Sequence, residues 1–483
     1  MGLSFLSPSY FLFFPAAVLG YFLLPQRRKN GWLLACSWFF YLCAGPEYFA
    51  FLLGTILVTY FAAISLGKRP RKGLLTGVLC LFVGLLFLFK YLFFGASLVS
   101  RLLGMVGLDW SLVVPSLLLP AGISFYLFAA MGYLIDVYRK RVEAQSSFIK
   151  CALFLSFFPS LLSGPIGRAE RILPQLEETH RFDYGNLREG LFRFLWGAFK
   201  KLVLADRLAV VVDTVFVAPE SFGAIQVIAA ACAFSIQIYC DFSAYSDMAL
   251  GSAKVMGFAL MENFRTPYFS RSIAEFWRRW HISLSTWFRD YLYIPLGGSR
   301  KGTGRKYLNV LIIFAVSGLW HGAAVSFLIW GLLNGVYQVA GSLTEPIRTR
   351  VRAVLHWKED SPIAALWQMF WVFVLSTLAW VFFEAGSVTA ALAVLRGMVS
   401  APLWVPPLSG MGMDRWEFLA AGAAVLLLLA VDAWSTRTDP ARQVAEGPRW
   451  VRWCVYLGLL LITVIFGSYG SGYDAKSFIY GQF

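Results

Sequence analysis

The chain has 483 residues and a mean hydropathy of +0.65; 58% of its residues are hydrophobic, 17% aromatic and only 14% charged. A soluble chain of this length would carry far more charge and divide into several cores, so the composition excludes that class and points to a polytopic membrane protein. The formal net charge of +15 reads as basic loops on the cytoplasmic side of a bilayer rather than as a nucleic-acid surface.

Apolar runs of about twenty residues, each long enough to cross a bilayer, recur from end to end. The first predicted span is 4–24. It lacks an early basic region and a small-residue cleavage site, so it reads as a span and not as a removable signal. Gln26-Arg27-Arg28-Lys29 follows it. Spans at 31–45 and 47–66 lead to Lys68-Arg69-Pro70-Arg71-Lys72, and 73–94 leads to a loop around Asp109-Trp110. A run at 112–137 ends at Tyr138-Arg139-Lys140-Arg141. The basic clusters follow the first, third and fifth runs; with all three inside, the N-terminus is outside. The run at 31–45 is short and must tilt, thin the bilayer or insert only in part.

Residues 148–163 run into Pro159 and then Gly164-Pro165-Ile166-Gly167, a broken or re-entrant element that needs shielding by protein. The polar stretch 168–189 reads as a cytoplasmic loop. Helical apolar runs follow at 190–217 and 223–257, then at 307–341 (two helices broken near Gly322), 363–385, 417–434 and 453–468. Arg437, Arg442, Arg449 and Arg452 assign the loop 435–452 to the inside, which leaves the tail through Phe483 outside. The expected fold is an all-α polytopic membrane protein, one integral domain over 1–483, with about ten to twelve spans plus re-entrant and amphipathic helices. The seven cysteines sit mostly within apolar runs and form no Cys-x-x-Cys pair, so they read as small buried hydrophobes, with no disulfide framework implied. No metal site is expected: His180 and His356 fall in polar stretches and no His-Glu-x-x-His occurs.

The segment 272–291 differs in kind. Ile273, Phe276, Trp277, Trp280, Leu284, Trp287, Phe288 and Tyr291 share one helical stripe, and Arg278, His281, Ser285 and Arg289 run along its flank. The spacing predicts a single amphipathic helix, either an interfacial anchor with snorkelling arginines or the lining of a site. Forty residues beyond His281, His321 stands in Ser317-Gly318-Leu319-Trp320-His321-Gly322 within an apolar run, and the chain has only four histidines. An ionisable side chain at membrane depth is costly, and its default reading is functional. An apolar setting disfavours the imidazolium, which leaves a neutral ring able to take a proton from a hydroxyl. Small neighbours leave room for a substrate chain beside His321. Asp241 and Asp247 read as structural carboxylates, paired or bonded to backbone.

Several stretches together closely resemble the membrane-bound O-acyltransferase family. They are Tyr239-Cys240-Asp241-Phe242-Ser243, Asn263-Phe264-Arg265-Thr266-Pro267-Tyr268, Phe276-Trp277-Arg278-Arg279-Trp280-His281, Trp287-Phe288-Arg289-Asp290-Tyr291 and Leu319-Trp320-His321-Gly322. The strong match spans 237–335, and within the family it is to the branch of alginate O-acetylation membrane subunits; the D-alanyl transfer branch of teichoic acid assembly is similar to a lesser degree. The resemblance implies a funnel from each side of the membrane, with His321 as the family's invariant histidine and His281 as its second, partly shared position where the funnels join. It implies acyl transfer, most simply of acetyl, from a cytoplasmic thioester (acetyl-CoA or a carrier protein) to an extracytoplasmic polysaccharide. It also implies a bacterial cytoplasmic membrane setting and an extracytoplasmic SGNH-hydrolase-like transferase as partner, with no bound cofactor.

Arg278, Ser285, Arg289 and Trp320 form the candidate donor-binding set, with the two arginines read equally as phosphate or headgroup contacts. The ending Phe478-Ile479-Tyr480-Gly481-Gln482-Phe483 resembles a Phe-x-Tyr-x-x-Phe motif of this branch, which makes Tyr480 either an acyl relay or an aromatic interface anchor. A proton-coupled transporter without acyl chemistry is the alternative from another class.

Overall fold

A computed structural model of the protein describes residues 3–105, 120–354, 361–400, 402–403 and 410–469. Two compact units divide the chain: Met1–Gly197 with Tyr245–Glu262, and Ala198–Ala244 with Asn263–Ile479. Helices make up the regular structure and no strand occurs among the described residues.

In the first unit, α1 (Pro8–Leu23) starts from Ser7, whose hydroxyl accepts the Tyr10 N–H, with Pro8 in the first turn. Pro25 separates it from α2 (Gln26–Ala44). The basic cluster expected to form a loop here is instead the first turn of α2. Its Lys29 is buried, donates to the His180 carbonyl at 2.7 Å and lies over the Tyr21 ring. The helices α3 (Phe49–Lys68) and α4 (Lys72–Met105) follow the expected runs, α4 continuing past 94. The loop expected around Asp109-Trp110, and the first part of the 112–137 run, lie outside the described residues; α5 (Ile123–Tyr138) is the rest of that run. The expected break at 148–163 is present as α6 (Phe148–Ser156) and α7 (Phe158–Leu161), with Pro159 in the first turn of α7. The stretch 168–189, read as a loop, contains α8 (Ala169–Gln175) and the start of α9 (Tyr184–Phe199). Ile172 and Leu173 are buried where α8 packs on α6, an apolar face too short to stand out among charged neighbours.

After α9 the helix widens into one π turn, Lys200–Ala205, and continues as α10 (Asp206–Val217). The long α11 (Ala224–Val255) belongs to the second unit through Ala244 and to the first from Tyr245. In the first unit its Ser252 bonds the Tyr10 hydroxyl at 2.8 Å, and its Asp247 takes the Arg193 Nε at 2.9 Å, while Arg193 Nη1 reaches Glu262 at 2.7 Å.

The rest of the second unit is helical. The expected single helix at 272–291 is instead α12 (Ile273–Arg279) and α13 (Ile282–Phe288), followed by a π turn at Arg289–Tyr293. The break expected near Gly322 separates α14 (Thr303–His321) from α15 (Val325–Leu343). A cationic α16 (Glu345–Val354), not anticipated, precedes α17 (Pro362–Glu384); α18 (Val388–Ser400), also unanticipated, precedes α19 (Arg415–Ser435), α20 (Pro440–Glu446) and α21 (Arg449–Phe466).

Six helices among the described residues are long and apolar enough to cross a membrane: Pro46–Lys68, Lys72–Leu92, Ala224–Val255, Pro362–Glu384, Arg415–Ser435 and Arg449–Phe466. Three shorter apolar helices, Pro8–Leu23, Ile123–Tyr138 and Val388–Ser400, accompany them. The all-α polytopic class is the one expected. The larger number of spans expected includes these shorter helices and α2 and α14, which begin with Arg27-Arg28-Lys29 and Arg305-Lys306 in their first turns.

The packing that matters most for the site is α14 on α15. Gly318 faces the Phe327 carbonyl and Gly331 faces the Phe314 carbonyl so closely that a methyl group at either would overlap backbone. Glycine here lets two helix backbones touch, the small-residue mode of packing between membrane helices. Gly331→Ala should therefore cost about 1–3 kcal/mol by overpacking, read as a lower melting temperature in detergent. Gly341→Ala on the same helix meets open space and should cost nothing; equal behaviour of the two variants would contradict this account.

Candidate active site

His321 is the last residue of α14, and Gly322 after it is fully extended. The imidazole is buried and enclosed by aromatic rings of the second unit. Trp320 lies at 4.6 Å between centroids, Trp330 of α15 at 4.8 Å and perpendicular, and Phe383 of α17 at 5.2 Å. Ser317 and Gly318, one turn back on α14, are buried and small.

His281 lies at the break between α12 and α13. Local capping starts α12: the Ser272 hydroxyl accepts the Glu275 N–H at 3.1 Å, and the Glu275 carboxylate reaches back to the Arg271 N–H at 2.8 Å. The helix ends at Trp280, which is extended, and His281 takes the left-handed conformation at φ +42°. Two oxygens of Asn263 then receive the start of α13. The carbonyl accepts the Ile282 N–H at 2.9 Å; the side-chain Oδ1 accepts the Ser283 N–H at 3.2 Å and the Ser283 hydroxyl at 2.6 Å. The His281 ring is buried, edge-on to Phe242 of α11 at 4.6 Å, and 6.2 Å from Trp320. Burial pushes its imidazole down to about 3.

The structure thus brings the two predicted histidines to one indole. Both rings neighbour Trp320, and a run of indoles links their surroundings a second way. Trp280, beside His281, lies 5.0 Å from Trp380; Trp380 stacks on Trp330 at 5.5 Å; and Trp330 faces His321. Trp277 anchors α12 to α15 by donating to Asn334 Oδ1 at 3.1 Å.

The donor-binding candidates fare unevenly. Trp320 is at the site. Arg278 is exposed and makes no ion pair with a described residue. Arg289 is exposed but already held by Asp290 at 2.8 Å, and its neighbour Asp290 therefore offsets the charge expected for a phosphate. The Ser285 hydroxyl donates to the Trp280 carbonyl at 3.2 Å, where it satisfies the end of α12. Tyr480 lies outside the described residues.

Asn263, Phe242, Trp330 and Phe383 received no role from the sequence. Asn263 and Phe242 lie inside quoted motifs.

A second cluster surrounds the same stretch of α11. Lys201 Nζ, from the π turn, bridges Asp241 at 2.6 Å and Asp206 at 2.9 Å. Lys200 Nζ bonds Ser243 at 2.6 Å, and Tyr239 donates to Asp432 of α19 at 2.9 Å. All these charged groups are buried. Asp241 is thus paired, as expected of a membrane carboxylate, and the cluster fixes the helix that carries Phe242.

A model of the membrane-bound O-acyltransferase family matches residues 138–384. The chain belongs to the membrane-bound O-acyltransferase family. The probable alginate O-acetylase of Pseudomonas putida is 35% identical to it over 498 residues, which cover 98% of each chain. The peptidoglycan O-acetyltransferase of Helicobacter pylori is 36% identical over 427 residues, 80% of this chain and 78% of the relative. The teichoic acid D-alanyltransferase of Bacillus subtilis is 26% identical over 228 residues, 44% of this chain and 57% of the relative. The protein is a multi-pass membrane O-acyltransferase, and an acyl donor is part of its chemistry.

Removing one member of the ionic cluster leaves charge buried without its counterion. Lys201→Met should cost about 3–5 kcal/mol, seen as a large fall in melting temperature in detergent. An unchanged melting temperature would show that the cluster does not hold the unit together.

Proposed function

We propose that the protein takes an acetyl group from acetyl-CoA on the cytoplasmic side and delivers it to a hydroxyl on the outer side, ultimately for O-acetylation of an extracytoplasmic polysaccharide. His321 is the general base. The observation that carries this reading is the meeting of two buried imidazoles, His281 and His321, at Trp320. Imidazole is suited to proton transfer near neutral pH, and a dry aromatic shell keeps water from competing for the thioester.

The chemistry balances on these groups. The His321 ring takes the proton of the acceptor hydroxyl, and the oxygen attacks the thioester carbonyl carbon. The carbon–sulfur bond breaks, and the departing thiolate takes the proton back from the imidazolium. A neutral His281 can donate its N–H to the oxygen that becomes negative during the attack. Exposed Arg278 is the donor-binding arginine with its charge still available for phosphate.

Two relatives support the choice of acetyl and of a glycan acceptor, since they are named for O-acetylation of alginate and of peptidoglycan. The D-alanyl relative covers less than half of this chain. In this reading the protein sits in the bacterial cytoplasmic membrane with both termini outside, and an SGNH-hydrolase-like transferase receives the acyl group there, with Tyr480 as the relay.

His321→Ala should lower polymer O-acetylation by about 10²–10⁴-fold while the protein stays in the membrane; full acetylation in that variant rules out the general-base role. Thiol release from acetyl-CoA by the purified wild-type protein checks the donor, and its absence would reject acetyl-CoA. Acetyl on the C-terminal peptide, found by mass spectrometry during turnover and lost in Tyr480→Phe, is the outcome expected of the relay.

A further inference from the structure

We propose that Asn263 is the positioning residue for His281: it breaks the helix at the histidine and holds the imidazole in the site. The proposal rests on the reading of His281 as part of the acyl-transfer centre.

The local sequence offers no break. No glycine or proline occurs from Ser272 to Ile294, and the apolar stripe runs through both helices at helical spacing. Left to itself the segment would continue as one helix, with His281 on its flank. Instead Trp280 is extended and His281 is left-handed. A residue with a Cβ reaches that region only against steric resistance, and such conformations persist where the surroundings over-determine them.

The surroundings that do so come from 263–266. The first N–H groups of a helix have no partner within it and are usually met by the oxygen of a Ser, Thr, Asp or Asn cap. At α13 the cap position is His281, whose side chain makes no capping bond. Asn263, eighteen residues earlier, supplies the missing acceptors to Ile282 and Ser283. The same stretch is held from the other side of the break. The Arg265 N–H donates to the Arg279 carbonyl at 3.0 Å, and Arg279 Nη1 reaches Thr266 Oγ1 at 3.3 Å.

The consequence is chemical. A capping residue at 281 would spend its side chain on the helix start. With the cap supplied from elsewhere, that position is open to an imidazole whose ring turns edge-on to Phe242 and towards Trp320. Asn263 is itself buried, and its role is exerted through the histidine.

The test uses the purified full-length protein, with thiol release from acetyl-CoA as the readout. Asn263→Ala removes the side-chain acceptor and should lower kcat by about 10–100-fold, with KM for acetyl-CoA changed by less than about threefold, as expected for a misplaced reacting group. Asn263→Asp keeps an oxygen at the accepting position and should restore most of the rate. In a His281→Ala background, Asn263→Ala should cost nothing further, because the residue it positions is gone.

Three outcomes overturn the proposal. Asn263→Ala at the wild-type rate, beside an impaired His281→Ala protein, sinks the positioning role alone. A loss that adds in full to that of His281→Ala shows that Asn263 acts elsewhere. A fully active His281→Ala protein refutes the role of the histidine itself, and the positioning role with it. If Asn263→Ala does not yield folded protein, Ser283→Ala takes its place, since it removes one donor to the same oxygen. Its kcat should fall, again with no added loss over His281→Ala; a wild-type kcat or full additivity in that variant overturns the proposal equally.

Discussion

The contact of α14 with α15 is the constraint on which the aromatic shell of His321 depends. His321 is the last residue of one helix and Trp330 lies on the other. They meet ring to ring only because Gly318 and Gly331 allow the backbones to touch. A bilayer gives helices no hydrophobic reason to associate, since lipid tails are as apolar as leucine, so close van der Waals fit has to do it. Two hydrogen atoms in place of two methyl groups thus decide where the imidazole sits, and Phe383 of α17 completes its enclosure.

Much of this was legible beforehand. Spans reveal themselves through length and apolarity, and the broken elements at 148–163 and near Gly322 carry their own proline and glycine signals. His321 stands out as an ionisable group where ionisation is expensive, and His281 by its place between the apolar stripe and the cationic flank. What escaped notice depended on partners distant in sequence. The stripe from Ile273 to Tyr291 is a sound helical pattern, and its buried members lie where periodicity would have them. Its interruption comes from Asn263, which a reading of the segment alone does not contain. This is tertiary structure overriding a local preference, and such conflicts gather at functional sites. Arg289 is similar: its charge was visible, but its engagement by Asp290 was a matter of geometry. The small helix α8 failed to register because seven residues leave little room for a period to declare itself.

Charge inside the second unit follows the same economy. One lysine of the π turn, Lys201, holds an aspartate of α10 and another of α11, which is how ionised groups survive away from water. They sit at the stretch of α11 from Tyr239 to Ser243, whose Phe242 abuts His281. The polar cluster and the aromatic shell therefore share a helix. One supplies fixed attachment and the other encloses the imidazoles among aromatic rings.

The π turn at Lys200–Ala205 carries an evolutionary implication. Consecutive residues of a regular helix point about 100° apart, yet Lys200 and Lys201 are both buried and both engaged. The wider turn accommodates one residue more than an ordinary turn would. Its excision would swing everything downstream through a quarter-rotation and more, carrying Asp206 away from its lysine. Natural variants of this chain should accordingly tolerate length changes in the connections between helices far more readily than within this turn.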